Sequence, residues 1–117
     1  MNEGTIMVPR QEGKSSTPAY SLDRIHELVR SKKLVYGGRK VQRDIVNLHY
    51  ELDNVCRCLL SLNACHFKES VHYTDSGVCF DVYRVTCRGR DDEDDPLYIK
   101  LKLNRDCIVV VVGSFHR

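Results

Sequence analysis

The chain contains 117 residues, enough for one domain and too few for a second full one. Hydrophobic residues make up 42% of it and charged residues 29%, proportions typical of a folded protein and not of a disordered one. Its longest apolar run, Cys107–Val112, is too short to cross a bilayer, which excludes a transmembrane helix. Since residues 1–20 also lack the apolar block of a secretory signal, we expect a cytoplasmic protein.

The formal net charge of +2 conceals an uneven distribution. Five acids form one run, Asp91–Asp95, and the other 11 acids face 18 bases, so the rest of the chain carries +7. Seven bases lie between Arg24 and Arg43 against the single acid Glu27. Such a segment suits phosphate binding, but it is also typical of a solvated helix face, and charge alone does not choose between them.

Six cysteines raise the question of disulfides or a metal site. Without a secretory signal, the expected compartment keeps thiols reduced. The sequence has no C-x2-C pair for zinc, and Cys56 and Cys58 would point to different sides of a helix. We therefore expect reduced cysteines that pack as small hydrophobic side chains. The six are Cys56, Cys58, Cys65, Cys79, Cys87 and Cys107.

Residues 1–20 are polar and rich in Gly, Ser, Thr and Pro, which predicts a flexible tail followed by a single domain over residues 21–117. Ser21 is a favourable helix cap, and the apolar stripe after it predicts an amphipathic helix. This helix is predicted to end at Gly37-Gly38. A second helix is predicted over Arg39–His49, and a third begins after the cap residue Asp53 and ends at Asn63.

Beyond Cys65 the apolar pattern changes to that of β-strands. Four stretches rich in Val, Ile, Tyr and Phe are separated by turn residues, which predicts an antiparallel meander. The acidic run Asp91–Asp95 falls in the second hairpin and is expected to be an exposed loop, since like charges repel. Helices followed by hairpins predict an α+β fold with the helices on one face of the sheet. The predicted strands are Phe67–Tyr73, Val78–Cys87, Pro96–Leu103 and Cys107–Phe115.

The face of this sheet opposite the helices is predicted to carry cations and a phenol. Alternation along the third strand sends Tyr98, Lys100 and Lys102 to that face. Lys68 can join them across the sheet. RNA-binding proteins use these groups, cations for phosphate and aromatic rings for unstacked bases. The pattern therefore favours an RNA-binding surface.

Six segments follow one another in a fixed order between residue 20 and the end of the chain. They are Tyr20–Ile25 with Leu28-Val29, His66–Ser70, Tyr73–Asp75, Phe80–Arg84, Leu97–Lys100 and Val112–His116. In order and spacing this set resembles the motility quorum-sensing regulator (MqsR) toxins of bacterial type II toxin–antitoxin systems.

The resemblance implies a RelE-like fold and an endoribonuclease that needs neither a metal nor the ribosome. Its substrate would be messenger RNA, cut at short G-C-containing sequences, and it would require no cofactor. The resemblance also implies an antitoxin partner, a zinc- and DNA-binding protein similar to MqsA that neutralises the toxin and represses the operon.

Four functional positions of the family can be placed on this sequence. The lysine at the start of its F-K-type strand is Lys68, and the tyrosine of its Y-[LI]-K segment is Tyr98. The family's lysine after the C-terminal Ser-Phe is replaced here by His116, and its substrate-contacting glutamine by Phe80. The two replacements bear on sequence preference and on the acid–base pair.

The replacements leave a workable chemistry. When the RNA 2′-OH attacks the adjacent phosphorus, the protein must supply a base, an acid and positive charge for the phosphorane. His116 could be the base or the acid, and Tyr98 could donate or accept a proton through its phenol. Lys68 and Arg84 could stabilise the phosphorane, and Phe80 could stack on a base, with relaxed base selectivity as the consequence. Lys100 is a further candidate for substrate binding. His72, which lies close to Lys68 on the same strand, is a secondary candidate.

Two other functions remain open at this point. A non-catalytic RNA-binding or regulatory domain would bind RNA in a salt-dependent way without cutting it. A protein-interaction module would use a free sheet edge, with the acidic run as a partner patch, and would not bind RNA.

Overall fold

The structure, a computed structural model, describes residues 12–89 and 92–117. Within them the chain forms three helices, six strands and one short 3-10 turn. In chain order these are β1 Glu12–Ser15, α1 Leu22–Arg30, β2 Leu34–Tyr36, α2 Arg39–Asn47, α3 Leu52–Leu60, the 3-10 turn Ala64–His66, β3 Phe67–Tyr73, β4 Val78–Arg88, β5 Asp94–Leu103 and β6 Val110–His116. The predicted α+β class is confirmed.

The strands form one sheet in the order β1-β3-β4-β5-β6-β2. All neighbours run antiparallel except β2 and β6, which are parallel. The predicted meander is therefore the centre of the sheet, β3 to β6, with one short strand added at each edge.

One face of the sheet and the helices enclose the core. Alternate residues of β5 enter it, and Ile99 and Leu101 are fully buried. The amphipathic helices contribute side chains from their apolar stripes, among them Ile25 and Leu59, which are also fully buried. The alternate apolar residues of the strands thus pack against the apolar stripes of the helices, as predicted.

The helix boundaries follow local capping chemistry. Ser21 caps α1 as predicted, its Oγ accepting from the backbone N–H of Arg24 at 3.2 Å. The third helix begins earlier than predicted, with Glu51 in the cap position and its N–H donating to Asn54 Oδ1 at 2.7 Å. Asp53, the predicted cap, instead pairs with Lys32 at 2.8 Å.

Two strands were not predicted. β1 lies inside the segment 1–20 that the sequence assigned to a tail, and it pairs with β3. The chain after it is attached to the domain, because the backbone N–H groups of Ala19 and Tyr20 donate to Asp81 at 2.9 and 3.0 Å. β2, with only three residues, lies just before Gly37. The prediction that the first helix continues to Gly37-Gly38 is therefore wrong: α1 ends at Arg30, and the residues before Gly37 pair with β6 instead. Residues 1–11 lie outside the described part of the chain.

The acidic run is only partly a loop. Asp94 and Asp95 belong to β5. Asp95 is only 9% exposed, and it accepts a hydrogen bond from the phenol of Tyr50 at 2.9 Å. Asp91 lies outside the described residues. β6 likewise starts later than predicted, since Asn104 Oδ1 accepts from the backbone N–H groups of residues 108 and 109 and holds the preceding turn.

The prediction that all cysteines are reduced is wrong for one pair. Cys58 of α3 and Cys87 of β4 form a disulfide with their Cα atoms 5.9 Å apart. The packing of α3 on β4 brings together two residues that are 29 positions apart in sequence. Cys56, Cys65, Cys79 and Cys107 are free thiols. None of the described helices is long and apolar enough to span a membrane.

Candidate active site on the outer sheet face

The sheet face opposite the helices, called the outer face here, carries most of the predicted site. Core residues such as Tyr83 and Ile99 point to the helices, so their neighbours in sequence point outward. The residues that reach the outer face from β4, β5 and β6 include Phe80, Arg84, Tyr98, Lys100, Lys102 and His116.

Three predicted residues form a row across the centre of this face. Tyr98 is the register partner of Arg84 on β4 and of His116 on β6. The Tyr98 and His116 rings stack with centroids 5.3 Å apart and planes at 25°, and the Arg84 guanidinium carbon lies 4.9 Å from the Tyr98 centroid. Stacking and cation–π attraction therefore hold the phenol between a cation and an imidazole.

His116 has a defined hydrogen bond through one ring nitrogen. Its Nδ1 lies 2.9 Å from the backbone oxygen of Arg117. Because that oxygen can only accept, Nδ1 carries the proton, and in the neutral ring Nε2 is left as an acceptor. Asp44 of α2 lies within electrostatic reach: a hydrogen bond from Lys40 and the nearby His116 lower the pKa of its carboxyl group.

Lys100 is the next outward-facing residue of β5 after Tyr98. Its Nζ donates to the phenol oxygen of Tyr73 at 3.0 Å and lies 6.0 Å from the Tyr98 ring centroid. Partial burial lowers the pKa of Lys100, but the hydrogen bond to Tyr73 and the two phenols outweigh it, so the pKa is raised overall. Lys100 is therefore a cation at neutral pH and suits charge stabilisation better than proton abstraction.

Phe80 reaches across the sheet toward β6. Gly113 is the extra residue of a β-bulge between β5 and β6, and a Cβ at this position would overlap the Phe80 ring. The Nζ of Lys102 lies 5.6 Å from the centroid of that ring. The absence of a side chain at Gly113 thus gives Phe80 its place, with a cation beside it.

Lys68 stands apart from the other predicted residues. It is exposed at a bulge of β3, between Phe67, which pairs with Tyr83, and Glu69, which pairs with Val82. Among the described residues, no hydrogen bond or ion pair joins it to the row around Tyr98. Lys68 therefore lies on the strand next to β4, but it makes no such contact with Arg84, Tyr98 or His116.

Sequence reasoning left out some neighbours of the site. The alternation placed Lys102 on this face, but Lys102 was not among the predicted site residues. Tyr73 and Asp44 come from β3 and α2, and only the fold brings them to Lys100 and His116.

The basic segment Arg24–Arg43 is partly neutralised within the chain. Arg24 pairs with Glu27, and Lys32 and Lys40 pair with Asp53 and Asp44 at 2.8 and 2.6 Å. These exposed pairs favour the interpretation as a solvated helix face. In the described ranges, 12–89 and 92–117, no group of three His, Cys, Asp or Glu side chains is placed to hold a metal ion.

Comparison with known protein families gives a match over most of the chain. A family model described as "Motility quorum-sensing regulator, toxin of MqsA" matches residues 17–117. A search of curated proteins returned no match.

Proposed function

Since the chain belongs to the motility quorum-sensing regulator family and is thus the toxin of a toxin–antitoxin pair, we propose that it is an endoribonuclease. Its substrate is messenger RNA in the cytoplasm, cut at short G-C-containing sequences without a metal or the ribosome. Its antitoxin partner is a zinc- and DNA-binding protein similar to MqsA. The observation that carries the proposal is the row Arg84, Tyr98 and His116, which joins a cation, a phenol and an imidazole on one exposed sheet face.

The reaction is an internal transfer of the phosphodiester. His116 Nε2 accepts the proton of the 2′-OH, the 2′-oxygen bonds to phosphorus, and the bond from phosphorus to the 5′-oxygen breaks. Tyr98 donates its phenolic proton to the leaving 5′-oxygen. The products are a 2′,3′-cyclic phosphate and a free 5′-hydroxyl, and the reaction leaves His116 protonated and Tyr98 deprotonated.

The cations of the outer face supply the charge that the phosphorane requires. Arg84 lies against Tyr98, and Lys100 is held by Tyr73 in a protonated state. Both are fixed by contacts before RNA binds, which is the condition for effective electrostatic stabilisation. Lys68, exposed at the β3 bulge, contacts a phosphate further along the RNA through its long side chain.

Phe80 replaces a hydrogen-bonding glutamine with an aromatic ring. A ring beside Lys102 suits a base that stacks above it and a phosphate that the ammonium group binds. Because every base has a π-face, we expect this position to tolerate more than one base.

The test is cleavage of purified messenger RNA in the presence of EDTA, with mapping of the RNA ends. We expect Tyr98→Phe and His116→Ala each to lower the rate about 100-fold or more, the range for loss of a general acid or base. Lys33→Ala is the matched control, since Lys33 is exposed outside the outer face and its loss should leave the rate unchanged.

Two results would contradict the proposal. An inactive wild-type protein that nevertheless binds RNA, with affinity falling as salt rises, would indicate the non-catalytic alternative. Equal activity in wild type, Tyr98→Phe and His116→Ala would show that the chemistry lies elsewhere.

A further inference from the structure

Asp95 is the one acid of the run Asp91–Asp95 that the structure shows buried, and both of its oxygens are engaged. Its Oδ2 accepts from the phenol of Tyr50 at 2.9 Å, and its Oδ1 lies 3.5 Å from Nε of Arg117. A buried carboxylate is costly unless it is paired and hydrogen-bonded, so these two partners account for its position. Through this ion pair, Asp95 holds Arg117, the residue directly after His116.

Tyr50 reaches the residue directly before His116. It is 6% exposed, and its ring packs edge-on against the buried Phe115 with centroids 5.7 Å apart. Burial and the hydrogen bond to Asp95 raise the pKa of Tyr50, so the phenol stays protonated and donates. Tyr50 and Asp95 together therefore hold both neighbours of His116.

We propose that Tyr50 and Asp95 are positioning residues for His116. By fixing Phe115 and Arg117, they keep the Arg117 backbone oxygen where His116 Nδ1 can donate to it, which leaves Nε2 free on the outer face. The inference rests on the proposed function for the proton transfer by His116. Charged or titratable groups close to the imidazole include Arg117, Tyr98 on β5 and Asp44 on α2.

The tautomer of His116 is the direct readout. In protein labelled with ¹⁵N-histidine, the two ring nitrogens are measured at about pH 8.5, where an ordinary histidine is neutral, and assigned by comparison with His116→Gln. We expect wild type to show a protonated Nδ1. Tyr50→Phe keeps the ring against Phe115 but loses the hydroxyl, and Asp95→Asn loses the charge; both should shift His116 toward a mixture of tautomers.

Asp94→Asn is the matched control, because Asp94 is the exposed neighbour in the same strand and the charge change is identical. It should leave the nitrogen shifts of His116 as in wild type. In cleavage assays, Tyr50→Phe and Asp95→Asn should lower kcat about tenfold with KM nearly unchanged, whereas Asp94→Asn should not.

Unaltered His116 nitrogens in both Tyr50→Phe and Asp95→Asn would overturn the inference. If Asp95→Asn does not fold, Tyr50→Phe decides alone. The spectroscopic result is independent of catalysis: a wild-type protein that cuts no RNA contradicts the proposed function, while the response of the imidazole still decides whether Tyr50 and Asp95 position it.

Discussion

The two faces of β5 differ in burial and in polarity, although their residues alternate along the same strand. Leu97, Ile99 and Leu101 point to the helices and are almost completely buried, whereas Tyr98 and Lys100 point outward and make polar and ring contacts. One strand thus supplies the core with one set of residues and the candidate site with the set between them. The comparison indicates that substitutions at neighbouring positions of β5 should affect different properties: stability at a core position and function at an outward-facing one.

Leu101→Ala and Lys102→Ala test this most directly. Leu101 is fully buried, so its truncation removes apolar contacts and leaves a cavity, and we expect a loss of about 4 kcal/mol of unfolding free energy. Lys102→Ala should cost less than about 0.5 kcal/mol but weaken RNA binding. Urea denaturation and RNA titration measure the two effects. Similar stability losses in both variants would remove the distinction between the faces.

Reduction of the Cys58–Cys87 disulfide should lower the stability of the whole domain without altering the contacts of the outer face. The bond closes a loop over 29 positions, and its loss should cost about 3 kcal/mol, mainly by freeing the unfolded chain. Thermal unfolding with and without dithiothreitol measures this. The double variant Cys58→Ala, Cys87→Val is the control, because its melting temperature should not respond to the reductant.

Asp81 is a polar exception on the helix-facing side of β4. It is fully buried and accepts hydrogen bonds from the N–H groups of Ala19 and Tyr20 and, at 2.7 Å, from the hydroxyl of Ser70. Asp81→Ala would leave these donors without their acceptor, at a cost of about 2–3 kcal/mol. Hydrogen exchange should accelerate at the two amides. Asp106→Ala, at an exposed position, should change neither stability nor exchange.

The parts of the fold that depend on local pattern were predictable from the sequence. Alternation in β5 and the cap at Ser21 are properties of a few neighbouring residues, and both are confirmed. β2 escaped prediction because its three residues are held by parallel pairing with β6, more than 70 positions away. The disulfide escaped for the same reason, since it depends on how α3 lies on β4.

The candidate site shows the same division. Cross-strand alternation and the family resemblance selected Tyr98 and His116, and their stacking agrees with a shared site. Asp95 was misjudged because a run of like charges predicts an exposed loop only when no buried partner exists. Tyr50 is such a partner, 45 positions earlier in the chain, and sequence pattern cannot locate it.

Gly113→Ala is the smallest and most specific change on the outer face. The new methyl would overlap the ring of Phe80, so we expect a cost of about 1–2 kcal/mol and weaker RNA binding as the ring is displaced. In a Phe80→Leu background the same substitution should cost much less, because the ring is gone, and a double-mutant cycle measures this coupling. Gly13→Ala is the control: a Cβ there would meet His72 Cβ at an ordinary 3.9 Å. Equal costs of Gly113→Ala in both backgrounds would show that Phe80 does not depend on Gly113 for its place on the outer face.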